Sequence, residues 1–206
     1  MPVALHRPAR VVLLASGTGS VVEAFAEEMS SDDTIEVVGL VCDQPGAGVL
    51  AVAAAAGVRT EVVPLADRTR RAEWDTALCE AIAAGEPDLV VSAGFMRLLG
   101  PTVLRTFRDR IINTHPALLP AFPGTHAVRD ALVYGVKVTG CTVHLVDAGV
   151  DTGPVVAQRI VEVRDDDDET SLHERIKQVE RVLLPDVARR MLGDGWTING
   201  RRVTIG

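Results

Sequence analysis

Aromatic side chains are scarce in this chain. Phe, Tyr and Trp make up 3% of its 206 residues, while hydrophobic residues as a whole make up 47%. A core with so few rings is built of Ala, Val, Leu and Ile, which suits helices packed on a parallel sheet whose central strands read as solid aliphatic runs. Cysteine is almost missing as well: Cys42, Cys79 and Cys141 stand far apart, with no CxxC spacing. An odd, dispersed set of this kind predicts reduced thiols in a cytoplasmic protein, with Cys141 buried in its aliphatic stretch. Positive charge is in deficit, 21 Lys and Arg against 28 Asp and Glu for a net charge of −7. That argues against a general nucleic-acid binder, which shows a basic face. It leaves room for a phosphorylated small molecule, which needs only local donors. No apolar run approaches the roughly 18–20 residues that a membrane helix requires. The opening residues, with His6, Arg7, Pro8 and Arg10, lack an apolar core ahead of a cleavage site and read as a short ragged start, not a signal peptide.

What the chain does have is a rhythm of aliphatic runs and helical segments. Arg10–Ala15, Ile35–Cys42, Thr60–Val63, Asp88–Ser92 and Arg110–Asn113 read as strands. Between the earlier ones, Val21–Met29, Gly46–Gly57 and Arg70–Ala84 read as helices, the last with Trp74, Leu78 and Ile82 at helical spacing. Strand, helix, strand in repetition means crossover connections and an α/β fold, with a mostly parallel, doubly wound sheet flanked by helices. After about residue 135 the pattern changes. Lys137–Val146 and Pro154–Val163 read as long extended runs, Ser171–Leu192 as a long helix, and Trp196–Ile205 as a hairpin with Asn199-Gly200 at its turn. Ser171 and Glu174 have the spacing of a capping box, and the acidic run Asp165 to Glu169 reads as a solvated loop. A length near 200 and the absence of repeats or linkers predict one domain over 1–206. It comprises the ragged residues 1–9, a nucleotide- and phosphate-binding half over about 10–110, and a half over about 111–206 that carries the catalytic loop, the late strands of a mixed sheet and the last helix.

Four segments carry chemistry. Ser16-Gly17-Thr18-Gly19-Ser20 joins the first strand to the first helix. Small residues permit a tight turn there, and the N–H groups of a helix N-terminus attract phosphate. No Lys follows to make a Walker loop, and the spacing of a dinucleotide fingerprint is incomplete. Asn113-Thr114-His115-Pro116 ends the fifth strand, and the carboxyl ends of parallel strands are where such sheets place their sites. Alternation puts Asn113 and His115 on one side. Asn can donate to a developing oxyanion, and His moves protons near neutrality. Pro116, Pro120 and Pro123 stiffen the loop that follows. Asp147-Ala148-Gly149-Val150-Asp151-Thr152-Gly153-Pro154 joins the two late strands; either aspartate is a fit turn residue, and either carboxylate, if beside His115, favours imidazolium. Gly94-Phe95-Met96-Arg97-Leu98-Leu99 is an apolar loop at a strand end, suited to a flat heterocycle.

Three runs in order, SAGFMRLLGP, INTHPALLPAFPGTHAVRDAL and VTGCTVHLVDAGVDTGPVVAQ, resemble the formyltransferase family that uses 10-formyltetrahydrofolate. The likeness covers roughly Arg10 to Leu192 and is nearest to the branch whose acceptor is glycinamide ribonucleotide, in purine biosynthesis. The resemblance implies a catalytic trio at Asn113, His115 and Asp151, and so selects Asp151 over Asp147. It implies a phosphate cradle at Gly19, Ser20 and Val21, ribose and phosphate contacts from Lys177 and Glu180, and folate contacts from Arg71, Met96, Arg97, Leu98, Leu99 and Asn113. Relatives commonly carry Asn where this chain has Val21, which removes a side-chain contact but leaves the backbone N–H, and the position of Lys177 varies between amide and cation. The co-substrate implied is 10-formyltetrahydrofolate, with no metal, acting on small molecules in the cytoplasm as a monomer or homodimer. Relatives that formylate methionyl-tRNA carry a further C-terminal domain, and hydrolases of formyl folate a further N-terminal one. Here the first strand starts near residue 10 and about 14 residues follow the last helix, so formyl transfer to glycinamide ribonucleotide is expected ahead of hydrolysis or another amine acceptor. The implied chemistry has Asn113 and protonated His115 stabilising the oxygen of a tetrahedral intermediate, with Asp151 raising the pKa of His115 above its reference of ~6.5 and ordering a water.

Overall fold

The computed structural model describes residues 8–65 and 71–206. Most of the ragged start and the expected first residue of the third helix, Arg70, lie outside them. Nine strands and six helices follow in chain order among the described residues: β1 Ala9–Ala15, α1 Ser20–Ser30, β2 Ile35–Cys42, α2 Gly48–Ala55, β3 Thr60–Val62, α3 Arg71–Ala83, β4 Leu89–Ser92, α4 Pro101–Thr106, β5 Ile111–His115, α5 Ala127–Tyr134, β6 Val138–Leu145, β7 Val155–Glu162, α6 Glu169–Asp194, β8 Trp196–Asn199 and β9 Arg202–Ile205.

Seven strands form one sheet in the order β3-β2-β1-β4-β5-β6-β7. The first five are mutually parallel, and β6 runs antiparallel to both β5 and β7. The chain winds outward from β1 to β3, then returns to β4 on the other side of β1. That reversal opens a crevice beyond the carboxyl ends of β1 and β4, where open α/β sheets bind ligands. The short 146–154 connection can join β6 to β7 only as an antiparallel pair, whereas β5 and β6 are antiparallel although α5 lies between them in sequence.

The aliphatic strands are buried on both faces, which is why they read as unbroken runs. Val11, Leu13 and Ala15 of β1 face a core shared with Val22 and Phe25 of α1 and with Leu183, Leu184 and Val187 of α6. Val12 and Leu14 face the opposite core, with Leu78 and Ile82 of α3 and Val103 of α4. Leu13 is fully buried, and its truncation to Ala is worth about 2–5 kcal/mol. The same alternation along β5 sends Ile112 to the first core and Ile111 to the second. Asn113 and His115 therefore continue the face of Ile111, and Thr114 points the other way, toward α6.

Three local expectations are corrected. The capping box of α6 sits one turn earlier than Ser171 and Glu174. Asp168 is the N-cap, its carboxylate accepting from the Ser171 N–H at 2.8 Å, while the Ser171 hydroxyl accepts from the Asp168 N–H at 3.0 Å. An Asp cap is at least as good as a Ser cap, and Glu174 pairs instead with Arg181. The acidic run is not wholly solvated: Asp165 is exposed beside Lys137, but the Asp167 side chain is only 3% exposed, held by Arg175. The terminal hairpin turns on Gly200-Arg201, with Asn199 paired to Arg202 as the last rung.

Candidate active site

A cavity of about 650 Å³ occupies the crevice beyond the strand ends. Its floor is the end of β4 and β5, one wall is the His173–Glu180 face of α6, and its rim comprises the turn after β1, the loop after β4 and the 147–151 connection.

At its centre the late strands complete what β5 begins. His115 is buried, and its Nε2–H donates to the Phe122 carbonyl at 2.8 Å. Its Nδ1 faces Asp151 Oδ2 at 3.3 Å. Since a carbonyl only accepts, Nε2 carries the hydrogen of the neutral ring and Nδ1 its lone pair. Asp151 is held in turn by the Gly124 N–H, which donates to Oδ2 at 2.8 Å. Phe122 and Asp151, the two residues that grip His115, both have left-handed backbones, with φ of 52° and 54°. Such conformations cost energy for residues other than glycine and gather at functional sites. The connection that carries Asp151 is close-packed: a Cβ on Gly153 would stand 1.7 Å from the Leu145 carbonyl oxygen, so no other residue fits there without moving the chain. Asp147 has the turn role, accepting from the Gly149 N–H and the Thr152 hydroxyl.

Antiparallel pairing of β5 and β6 sets Asn113 opposite His144. With its Nδ1–H donating to the Leu145 carbonyl, neutral His144 presents an Nε2 lone pair 3.2 Å from Asn113 Nδ2. It accepts one amide hydrogen and leaves the second for the cavity. The same nitrogen lies 3.5 Å from Asp151 Oδ1.

The pKa of His115 is corrected. Burial pushes it below its ordinary value and outweighs the opposing pull of the Phe122 carbonyl and of Asp151, with His144 adding to the lowering. The Asp151 carboxyl lies below the usual range: burial works against that, but the neighbouring His144 ring, the Gly124 N–H and His115 prevail. The resting pair is thus neutral imidazole beside carboxylate, not an imidazolium.

One end of the cavity is the start of α1. Gly19, with φ of 92°, is its N-cap, and no side chain caps the helix. A Cβ on Gly19 would stand 2.8 Å from Val49 Cα, so glycine is needed for α2 to pack so closely. The N–H groups of Ser20 and Val21 precede the first intrahelical bond, made by Glu23 to the Gly19 carbonyl. They are open to an anion, while the Val21 side chain packs on the core. Arg189, twelve residues after Lys177, pairs with Asp32, twelve residues after Ser20. The two helices run side by side and bring Lys177 level with the start of α1. Glu180 is buried and accepts from the Thr114 hydroxyl at 2.9 Å. Burial pushes its carboxyl up to about 7, against Thr114, Lys177 and Arg181.

The other end is the loop after β4. Met96 and Leu98 are 70% and 59% exposed, and they line the cavity with Arg97 and Leu99. Arg71 does not line it. Its guanidinium donates to the Leu98 carbonyl from behind the loop and lies 4.6 Å from the Trp74 ring centroid, while Trp74 stacks on Phe95.

Residues 9–188 match the family model for formyl transferase. The chain is 55% identical over 199 residues to phosphoribosylglycinamide formyltransferase of Mycobacterium tuberculosis, covering 97% of this chain and 92% of that one. It is 38% identical over 185 residues to the Bacillus subtilis protein of the same name, covering 89% and 95%. The crystal structure of glycinamide ribonucleotide transformylase 1 from Symbiobacterium toebii superposes with a TM-score of 0.92 at 40% identity, over 96% of this chain and 93% of that one. The chain belongs to the formyl transferase family.

As a formyl transferase it contains cavity residues that the sequence reading passed over. His144 was visible only as one member of an alternating strand, and its role follows from the β5–β6 register. Thr114 was hidden between the two residues that drew attention. His173 stands one turn before Lys177 on the same face of α6, a spacing that was legible. Its pKa lies below the ordinary value through burial and the Lys177 charge. Among the described residues no group of three or more His, Cys, Asp or Glu is arranged to hold a metal ion, and no helix is long and apolar enough to cross a membrane.

Proposed function

We infer that the protein transfers the formyl group of 10-formyltetrahydrofolate to the amine of glycinamide ribonucleotide, giving formylglycinamide ribonucleotide and tetrahydrofolate in purine biosynthesis. The observation that carries the mechanism is the burial of His115 with Nδ1 against Asp151 and Asn113 two residues away, between an open helix N-terminus and an apolar loop. The phosphate fits the N–H groups of Gly19, Ser20 and Val21, with Lys177 adding charge and Glu180 accepting from the ribose. The folate fits the loop of Met96, Arg97, Leu98 and Leu99, with Asn113 at its formyl end and Arg71 supporting the loop from behind. Buried free thiols and an acidic surface agree with a cytoplasmic enzyme of small molecules, acting as a single domain in a monomer or homodimer.

The amine nitrogen attacks the formyl carbon, and the carbonyl π pair moves onto oxygen. The free N–H of Asn113 donates to that oxygen, and one such donor is typically worth ~10²–10³ in rate. Neutral His115 takes the proton lost by the attacking nitrogen on Nδ1. The imidazolium so formed is stabilised by Asp151 beside it and lies near the developing negative charge. Collapse re-forms the C=O bond and breaks the bond to folate N10, which takes the proton back from His115. One proton has passed from amine to N10, and no other reactant is consumed.

Release of tetrahydrofolate from 10-formyltetrahydrofolate, followed with and without glycinamide ribonucleotide, tests the reading. Release only with the acceptor is expected. Equal release without it makes the protein a hydrolase.

A further inference from the structure

A buried carboxylate that the mechanism does not use lies at the edge of the folate end. Asp43 follows directly on β2, and its side chain is 0% exposed. A charge so placed is costly unless it is paired and hydrogen-bonded. Its partners are specific. Arg97 Nε donates to Oδ2 at 2.6 Å, Gln44 Nε2 donates to the same oxygen at 3.0 Å, and the Ser16 hydroxyl lies beside it. Ser16 is the first residue of the phosphate turn, and its Oγ accepts from the Met96 N–H at 2.8 Å, while its own N–H donates to the Gly94 carbonyl at 3.1 Å. The loop after β4 is thus held at Gly94 and Met96 by the end of β1, at Arg97 by the end of β2, and at Leu98 by Arg71 of α3.

We propose that Asp43 is a positioning residue for the folate loop, acting through Arg97, whose guanidinium is a strut between β2 and the loop. The inference rests on the assignment of Met96 to Leu99 as the folate-binding loop. An exposed Met96 and Leu98 cannot order themselves by packing, so the main chain that presents them must be fixed from beneath. A bonded Asp43–Arg97 pair, 2.6 Å apart and closed off from water on the carboxylate side, does this better than a surface pair, because charge-assisted bonds are stronger and more directional where water does not compete. Ser16 adds a consequence: the same network touches the first residue of the phosphate turn, so both substrates meet loops anchored on one polar network around the buried Asp43 carboxylate.

The test is a kinetic double-mutant cycle on the whole enzyme, with Asp43→Asn, Arg97→Met and the double variant, measuring kcat and KM for each substrate. Asp43→Asn keeps the shape and removes the charge. Each single variant is expected to raise the KM for 10-formyltetrahydrofolate about ten-fold, with kcat and the KM for glycinamide ribonucleotide changed by less than about three-fold. The double variant is expected to be no worse than the poorer single one, because the two act as a unit. An unchanged folate KM in Asp43→Asn, or single penalties that multiply in the double variant, overturns the proposal. Equal damage to both KM values and to kcat also overturns it, since that marks general structural loss. If Asp43→Asn fails to fold, Arg97→Met decides alone: a folate KM within two-fold of wild type overturns the proposal. An active wild type is the control for the underlying reading. If the wild type transfers no formyl group, it is the functional assignment that fails.

Discussion

His115 Nδ1 and Asp151 Oδ2 stand 3.3 Å apart, yet the imidazole is held below its ordinary pKa. Burial outweighs the carboxylate, so the imidazole rests neutral, as the proposed role of proton acceptor requires.

A pH profile follows from that sign. The acid limb of kcat/KM is expected at a pH below the unperturbed value of about 6.5, because activity needs neutral His115 in the free enzyme. Asp151→Asn deepens the lowering by removing the one carboxylate that opposes it, and so moves the limb further down. A limb above 7 in the wild type contradicts the assignment.

Stability should respond in the same direction for His115. Its folded pKa is depressed below the unfolded one, so its contribution is present above about 6.5 and is lost as pH falls through the folded value. Glu180 has the opposite sign. Its folded pKa is raised from 4.5 to about 7, so its contribution is complete below about 4.5 and is lost as pH rises through about 7. Glu180→Gln keeps an acceptor for the Thr114 hydroxyl and removes this loss. It is expected to be more stable than wild type at pH 8 by up to about 3 kcal/mol, with a higher KM for glycinamide ribonucleotide. Urea unfolding at pH 5 and pH 8 measures it; equal stability of the two proteins at both pH values contradicts it.

Removing the neighbour of Asn113 should cost rate and spare affinity. His144→Ala frees the amide that His144 Nε2 orients at 3.2 Å. A fall in kcat of about ten-fold is expected, less than the ~10²–10³ of losing the donor itself, with both KM values within about three-fold. Initial rates at saturating and limiting substrate separate the two parameters.

The phosphate end makes a charge prediction. Lys177→Met is expected to raise the KM for glycinamide ribonucleotide about ten-fold and leave the folate KM unchanged, since loss of uniform binding raises KM alone. A change in the folate KM instead would move Lys177 to the other end of the cavity.

Much of this was legible in the amino-acid order, for physical reasons that also mark where it stopped. β1, β2, β4 and β5 are covered on both faces, so each shows as an aliphatic run. α4 and α5 were not seen because they are six and eight residues long, too short for a periodic pattern to stand out from Pro-rich surroundings. The acidic stretch before α6 hid its cap, because Asp168 and Ser171 are equally good cap residues and only the geometry chooses. Asn113 and His115 were legible from strand-end placement and alternation. Asp151 was separable from Asp147 only by family resemblance, as both sit in one turn-rich octapeptide; in the structure one faces His115 and the other closes the turn. The pKa of His115 was read with the wrong sign because a neighbouring carboxylate can be guessed from sequence and the depth of burial cannot. Asp43, Ser16 and His144 were unreadable for a related reason: each acts through a partner at least 31 residues away.

The most direct measurement is a comparison of wild type with His115→Ala for turnover and for binding of each substrate. The account predicts that kcat falls by about 10²–10⁴, the usual share of a general acid–base, while the dissociation constants of glycinamide ribonucleotide and of a folate analogue stay within about three-fold. Near-normal turnover in His115→Ala would contradict it.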